Sequence, residues 1–300
     1  MHPEADRDSG GIGSAVLVIA AAALWGTVAV AVKVLVETVD FSLIAFIRML
    51  LGALTVWLAW RISHRPGQRT PLKWGLIAAA GLGIALNYLL YTFGLRMTLA
   101  SAGSIVVQSE VVFLALISYV FLGESFGRKK ILGTSVALAG VAMVTWGGQT
   151  LRALIESQYL TGNLIVLAAG FFWAIYAYGQ KILSAEKDLL ASVYPIFIVA
   201  SLVLLPFSAG SLASIPSLSW SEVLMLLYLG AVCTGVSYML LASGMRRLTA
   251  STAGVLTTVM PVTSVALAIV LLHEPLTPYI LLGAAMNVAG ILLVMWREGA

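Results

Sequence analysis

The sequence predicts an all-α membrane protein: ten transmembrane helices, built as two inverted five-helix repeats, with both termini cytoplasmic. Three observations predict it: a composition suited to lipid, ten apolar runs of spanning length, and a self-match at an offset of 150 residues. Of the 300 residues, 60% are hydrophobic and only 10% are charged, and the mean hydropathy is +1.00. A soluble domain carries about 25% charged residues because it must present a wetted surface. Ten helices of about 20 residues would use roughly 200 positions, leaving little chain for a separate soluble domain.

The apolar runs lie at 13–36, 42–60, 74–95, 99–122, 130–147, 162–184, 189–209, 221–243, 250–272 and 277–296. Met1–Gly10 is polar and acidic rather than a basic leader, so the first run reads as a retained span. The expected organisation is a cytoplasmic tail over 1–12, a first repeat over 13–147, an external connection over 148–161, a second repeat over 162–296 and a tail over 297–300.

Charge sets the orientation. With the N-terminus inside, the cytoplasmic segments hold 13 of the 17 basic residues: Arg7, Arg61, Arg65, Arg69, Lys73, Arg128, Lys129, Lys130, Lys181, Lys187, Arg246, Arg247 and Arg297. Arg96 and Arg152 fall outside, and Lys33 and Arg48 lie within spans. Such an asymmetry marks the cytoplasmic face. The net charge of +4 is therefore a topology signal, and no nucleic-acid partner is expected. The partners expected are the lipid bilayer and a small-molecule substrate, with the chain acting as a monomer.

Enzymatic readings find no support in the residues. The single cysteine, Cys233, excludes an internal disulfide and any multi-cysteine metal or redox centre. The histidines are His2, His64 and His273, in a tail and two loops, and no nucleophile–base constellation or phosphate loop accompanies them. No cofactor and no metal are expected. A selective channel needs a ring of like polar groups, which one central Glu and one Gln do not make.

The self-match is the most informative feature. Residues 87–144 align without gaps on 237–294, with 15 of 58 positions identical. Tyr88 meets Tyr238, Gly94 meets Gly244, Arg96 meets Arg246, Ala100-Ser101 meets Ala250-Ser251, Glu124 meets Glu274, and Gly133 and Gly140 meet Gly283 and Gly290. At an offset of 148, Trp25 and Lys33 meet Trp173 and Lys181. A five-span period turns the second copy over in the membrane. Halves of opposite topology are a transporter architecture with its substrate site near the midplane; a duplicated scaffold without transport is the bland alternative.

These residues resemble the drug/metabolite transporter superfamily, in particular its EamA-type ten-helix members. The resemblance rests on Gly123-Glu124-Ser125-Phe126 with Gly133 and Gly140, on His273-Glu274-Pro275-Leu276-Thr277 with Gly283 and Gly290, and on the openings Leu24-Trp25-Gly26 and Phe172-Trp173-Ala174. Within the superfamily the chain looks most like the YddG type, bacterial inner-membrane exporters of aromatic amino acids that also pass some cationic drugs. The resemblance implies a central cavity enclosed by spans 1–4 and 6–9, with spans 5 and 10 peripheral. It implies export of small hydrophobic or aromatic amino acids by alternating access. The alternative is a broader metabolite or organic-cation exporter or facilitator.

Helical spacing nominates the residues that would line the cavity. Asn87 and Tyr91, with Tyr88 beside them, form a polar and aromatic stripe on the third span. Gln108 belongs to a similar stripe on the fourth, and Trp173 and Tyr176 to one on the sixth. Tyr238 and Trp25 are the repeat mates of Tyr88 and Trp173. Together they would form an aromatic box able to stack on a planar group or hold a cation over ring faces. Three ionisable residues inside spans need explanation. Lys33 is close enough to the outer end to snorkel. Arg48 is a candidate contact for a substrate carboxylate. Glu110, at the middle of the fourth span, is open to three readings: proton carrier, partner of a substrate ammonium, or partner of a structural cation. Pro261, within the ninth span, is expected to kink that helix and act as a hinge.

Overall fold

The computed structural model describes residues 5–63, 73–123, 127–184, 189–245, 248 and 256–295. The helices are α1 (Ala5–Leu35), α2 (Phe41–Ser63), α3 (Trp74–Met97), α4 (Ala100–Val106), α5 (Glu110–Leu122), α6 (Arg128–Trp146), α7 (Leu151–Glu156), α8 (Gln158–Ser184), α9 (Leu189–Ser208), α10 (Trp220–Leu227), α11 (Ser237–Met245), α12 (Val259–Leu272) and α13 (Pro278–Met295). A 3₁₀ turn, Val107–Ser109, joins α4 to α5, another, Ala209–Ser217, follows α9, and a π-helical segment, Tyr228–Val236, joins α10 to α11. No strand occurs among the described residues.

Eight helical runs are long and apolar enough to cross a membrane. Two of the ten expected runs are shorter or more charged. The helix α6 opens on Arg128, Lys129 and Lys130, and α12 has 14 residues. The connection expected over 148–161 holds the short helix α7, and α8 begins within it at Gln158. Several residues used in the sequence reading, among them Arg65, Arg69, Glu124, Lys187, Arg246, Arg247, Ala250, Ser251 and Arg297, lie outside the described residues.

Local chemistry ends the helices where the sequence allows. Asp40 precedes α2 and accepts the backbone N–H groups of Ser42 (2.9 Å) and Leu43 (3.3 Å), satisfying two of the donors that a helix start leaves open. A capping box between Ser219 and Glu222 opens α10. Gly123 and His273 end α5 and α12 in the left-handed region, with φ of 62° and 54°. Glycine enters that region freely, whereas for His273 it carries a steric cost.

Packing runs in pairs: α3 along α8, α6 along α13, α2 along α9, and α1 against α11 and α12. The α6–α13 pair approaches through facing glycines. A Cβ at Gly133 would fall 2.6 Å from the Gly290 carbonyl oxygen, and one at Gly140 would fall 2.6 Å from that of Gly283. Only a residue without a side chain permits such backbone approach, which is how helices associate where lipid offers no hydrophobic drive. Asn287 adds an amide contact at 3.5 Å to the Ala137 carbonyl. Large apolar side chains such as Leu58, Val120, Phe121, Leu202, Val262 and Leu281 face outward. So much exposed apolar surface suits lipid as the surrounding solvent.

The two helical runs expected from sequence as the fourth and ninth spans are both interrupted. The first breaks at Val107–Ser109 and the second at Thr258, just before α12. Pro261 therefore stands in the first turn of α12 rather than in mid-helix. Its ring opposes the carbonyl four residues back, at Thr257, so the distortion appears upstream of the proline, and its missing N–H leaves no helix bond unmade.

Candidate functional site

A narrow cavity of about 90 Å³ opens inside the bundle. Eight of the residues nominated from sequence line it: Trp25, Arg48, Asn87, Tyr88, Tyr91, Glu110, Trp173 and Tyr238. Val28, Val107 and Met260, which carry no chemical signal in the sequence, complete the wall. Gln108 and Tyr176 are buried but not among the lining residues. Tyr176 instead backs the wall, with its ring centre 6.0 Å from Trp173 and 6.4 Å from both Phe197 and Tyr238.

The aromatic wall is a connected set. Trp25 meets Tyr238 edge-on at 5.3 Å, and Tyr238 meets Phe197 at 5.2 Å. Such T-shaped contacts fix ring orientation and contribute about 0.5–1.5 kcal/mol each beyond buried area. Asn87 donates its amide to the Ala169 carbonyl at 2.8 Å, tying α3 to α8. Tyr91 is buried, and its hydroxyl has no hydrogen-bond partner.

Arg48 is the most unusual group in the wall. It is only 3% exposed, and its Nε and Nη1 have no hydrogen-bond partner. Its guanidinium carbon sits 4.4 Å from the centre of the Tyr88 ring. A cation over a ring face is attracted by the ring quadrupole, which partly offsets the loss of water but satisfies no N–H donor. Among the described residues no carboxylate pairs with it. An unpaired buried charge costs several kcal/mol, so the arrangement does not stabilise the fold by itself.

The backbone explains how the arginine is held. A Cβ at Gly230 would lie 2.6 Å from the Leu51 Cβ and 3.3 Å from the Arg48 Cα, and one at Gly52 would lie 2.5 Å from the Thr234 methyl. The close approach of α2 to the π segment therefore turns Arg48 inward. The wide turn is stabilised by Thr234, whose hydroxyl donates to the Leu229 carbonyl five residues back at 2.8 Å. Thr234 also meets the Tyr88 hydroxyl at 3.3 Å. π-helical insertions within helices are frequent at functional sites. Sequence reasoning missed this one, and the Gly230 and Gly235 pair flanking Thr234 was its faint signal.

Glu110 does not sit in an unbroken helix. It opens α5 directly after the 3₁₀ turn, half-buried at the cavity. The turn is accommodated by Gly170 of α8, where a Cβ would fall 2.9 Å from the Ser109 hydroxyl and 3.2 Å from the Val107 carbonyl oxygen. Glu110 and Arg48 thus share one cavity without forming an ion pair with each other.

Lys33 is half-buried near the end of α1. Its ammonium donates to the carbonyls of Leu95 (2.9 Å) and Thr98 (2.7 Å), which end α3.

Apolar helices around a small cavity bearing one guanidinium, one carboxylate and a ring of aromatics define an integral multi-pass membrane transporter. The chain belongs to the EamA-like transporter family, whose model matches residues 13–146 and 160–296. It is 28% identical to the "Probable amino-acid metabolite efflux pump" of Escherichia coli strain K12, covering 94% of this chain and 96% of that protein. It is 26% identical to the "Probable terminal-alkyne amino-acid exporter" of Streptantibioticus cattleyicolor, covering 74% of this chain and 73% of that protein. It is 25% identical to "Uncharacterized transporter YetK" of Bacillus subtilis strain 168, over 96% of this chain and 88% of that protein. A crystal structure at 18% identity shares the fold, with a TM-score of 0.65 over 93% of this chain and 95% of that one.

Proposed function

We propose that this protein is a secondary transporter that exports small hydrophobic or aromatic amino acids across the bacterial inner membrane by alternating access. The observation that carries this reading is Arg48, buried with two unpartnered N–H donors in the same cavity as Glu110. A zwitterion presents a carboxylate and an ammonium, and these two residues offer one group of opposite charge to each. The rings of Trp25, Tyr91, Trp173 and Tyr238 receive the apolar side chain, and Tyr88 orients the guanidinium. Gln108 and Tyr176 support the wall from behind. In this reading ten spans form two inverted repeats with both termini cytoplasmic, the chain acts as a monomer, and specificity is of the YddG type. The amino-acid exporters among the relatives support the substrate class. A cavity of about 90 Å³ is tight for an amino acid, so the walls separate during the cycle. The breaks at Val107–Ser109 and Thr258, the second beside Pro261, are the hinges for that motion.

The second reading, an exporter of organic cations, draws on Glu110 and the ring faces alone. Uptake of labelled phenylalanine, leucine and a planar organic cation into proteoliposomes, with and without a proton gradient, decides between them. The amino-acid reading expects saturable phenylalanine or leucine uptake that is lost in Arg48→Ala. Uptake of the cation alone, indifferent to Arg48, would replace it with the second reading.

A further inference from the structure

The helix α4 begins without a cap of its own. Its flanking residue Leu99 has no side chain able to accept a hydrogen bond. The acceptor comes from 174 residues away. Glu274, in the turn between α12 and α13, accepts the backbone N–H groups of Ala100 (2.7 Å) and Ser101 (3.0 Å) and the Ser101 hydroxyl (2.5 Å). The turn is shaped for this: His273 adopts a φ of 54°, and the Glu274 N–H closes on the Ala268 carbonyl at 3.2 Å. Glu274 is 8% exposed. Lys33, from α1, lies within electrostatic range of Glu274 and holds the last carbonyls of α3. Three separate parts of the chain thus meet at one end of the bundle through charge-assisted hydrogen bonds, which are about twice as strong as neutral ones.

We propose that Glu274 is a releasable latch: bound to the start of α4 it closes this end of the pathway, and its release opens that end to water. The proposal rests on the alternating-access reading. Its mechanical basis is the length of α4. Only seven residues, Ala100–Val106, separate the latch from the 3₁₀ turn at Val107–Ser109, and Val107 lines the cavity. The helix is therefore a short lever, pinned at one end by Glu274 and hinged at the other against the wall. The opposing wall residue, Met260, belongs to α12, whose far end carries the latch. Release exposes a carboxylate and two N–H groups at the end of the bundle, where water replaces the lost bonds. Because each of these bonds is exchanged for a bond to water when the carboxylate lets go, only the net difference opposes release, and such a latch can open in each cycle. A permanent cap would bind the same atoms but would never need to let go.

Two measurements distinguish the latch from a permanent cap. First, in a Cys233→Ala background, Val28→Cys places a thiol in the cavity wall. Labelling by a membrane-impermeant maleimide is followed from each face in right-side-out and inside-out vesicles. Adding Glu274→Gln, or Ser101→Ala, is expected to raise the labelling rate several-fold from one face only. Equal rates from both faces overturn the latch, and this readout needs no knowledge of the substrate. Second, Ser101→Cys with Glu274→Cys in the same background is bridged by a short bis-thiosulfonate, because a Glu-length gap exceeds a direct disulfide. Bridging is expected to lower Val28→Cys labelling from that same face to background, with reductant restoring it. Bridged protein that still labels from that face overturns the proposal. Glu274→Asp, which keeps the carboxylate, checks that the Gln variant has not simply unfolded: native labelling in Asp alongside raised labelling in Gln is the expected pair.

Discussion

The guanidinium of Arg48 lies 4.4 Å from the centre of the Tyr88 ring, joining α2 to α3 at the wall of the cavity. The ring lies against the charge, and the Nε and Nη1 of the guanidinium have no hydrogen-bond partner. Arg48→Lys keeps the charge but loses the planar fork that matches a carboxylate. Amino-acid transport should fall by about tenfold or more, corresponding to roughly 1.4 kcal/mol. Arg48→Met should abolish it while leaving the melting temperature of the purified protein unchanged or raised, because it removes an unpaired buried charge. A fall in melting temperature together with full transport would show a structural arginine instead.

Glu110 faces the same cavity from the start of α5. Glu110→Gln should weaken binding of phenylalanine while leaving binding of its des-amino analogue unchanged, measured by competition in proteoliposomes. Equal loss for both ligands would remove the ammonium from its role. Full pH dependence of transport in the same variant would exclude it as the proton carrier.

Trp173 lines the cavity, and its ring centre lies 6.0 Å from that of Tyr176. Trp173→Ala and Tyr91→Ala should each impair uptake of aromatic amino acids with expression and elution profile unchanged. Wild-type uptake in both would leave the aromatic wall without a function in binding.

Gly290 packs on α6 so tightly that a Cβ would sit 2.4 Å from the Ala137 nitrogen and 2.5 Å from the Gly133 carbonyl oxygen. Both are backbone atoms and cannot rotate away. Gly290→Ala should destabilise the protein by about 1–3 kcal/mol, seen as a lower melting temperature. Substitution at Gly75, where a Cβ meets nothing within 4 Å, should be silent.

Burial opposes ionisation of Asp40, but hydrogen bonds from Ser42, Ser211 and the backbone of Leu43 and Ser42 outweigh it and hold the carboxyl below its ordinary value. A depressed carboxyl contributes stability that is present above its unfolded value and lost as pH falls through the folded one. Acid should therefore loosen the start of α2, and Asp40→Asn should flatten the acid limb of a stability–pH curve. An unchanged limb would show that Asp40 has no part in it.

Much of the site was legible because polar and aromatic residues stand out against apolar spans. Asn87, Tyr88 and Tyr91 fall on one stripe by helical period alone, and the cavity uses all three. Gln108 and Tyr176 obey the same period yet lie outside the wall, because period gives the face of a helix but not what that face meets. Val28, Val107 and Met260 line the cavity without any polar mark. That Lys33 donates to carbonyls at the end of α3 could not be read from its position in the first span.

By itself the sequence determined the solvent, the helical class and the residues too polar for lipid, since composition and period follow directly from which atoms tolerate hydrocarbon. Tertiary structure alone decided which of those residues meet. The π segment, the break before Glu110 and the reach of Glu274 to α4 depend on contacts between helices distant in the chain. Backbone hydrogen bonds inside a helix are settled locally, whereas a break or an uncapped end persists only when a neighbouring helix supplies the missing room or the missing acceptor.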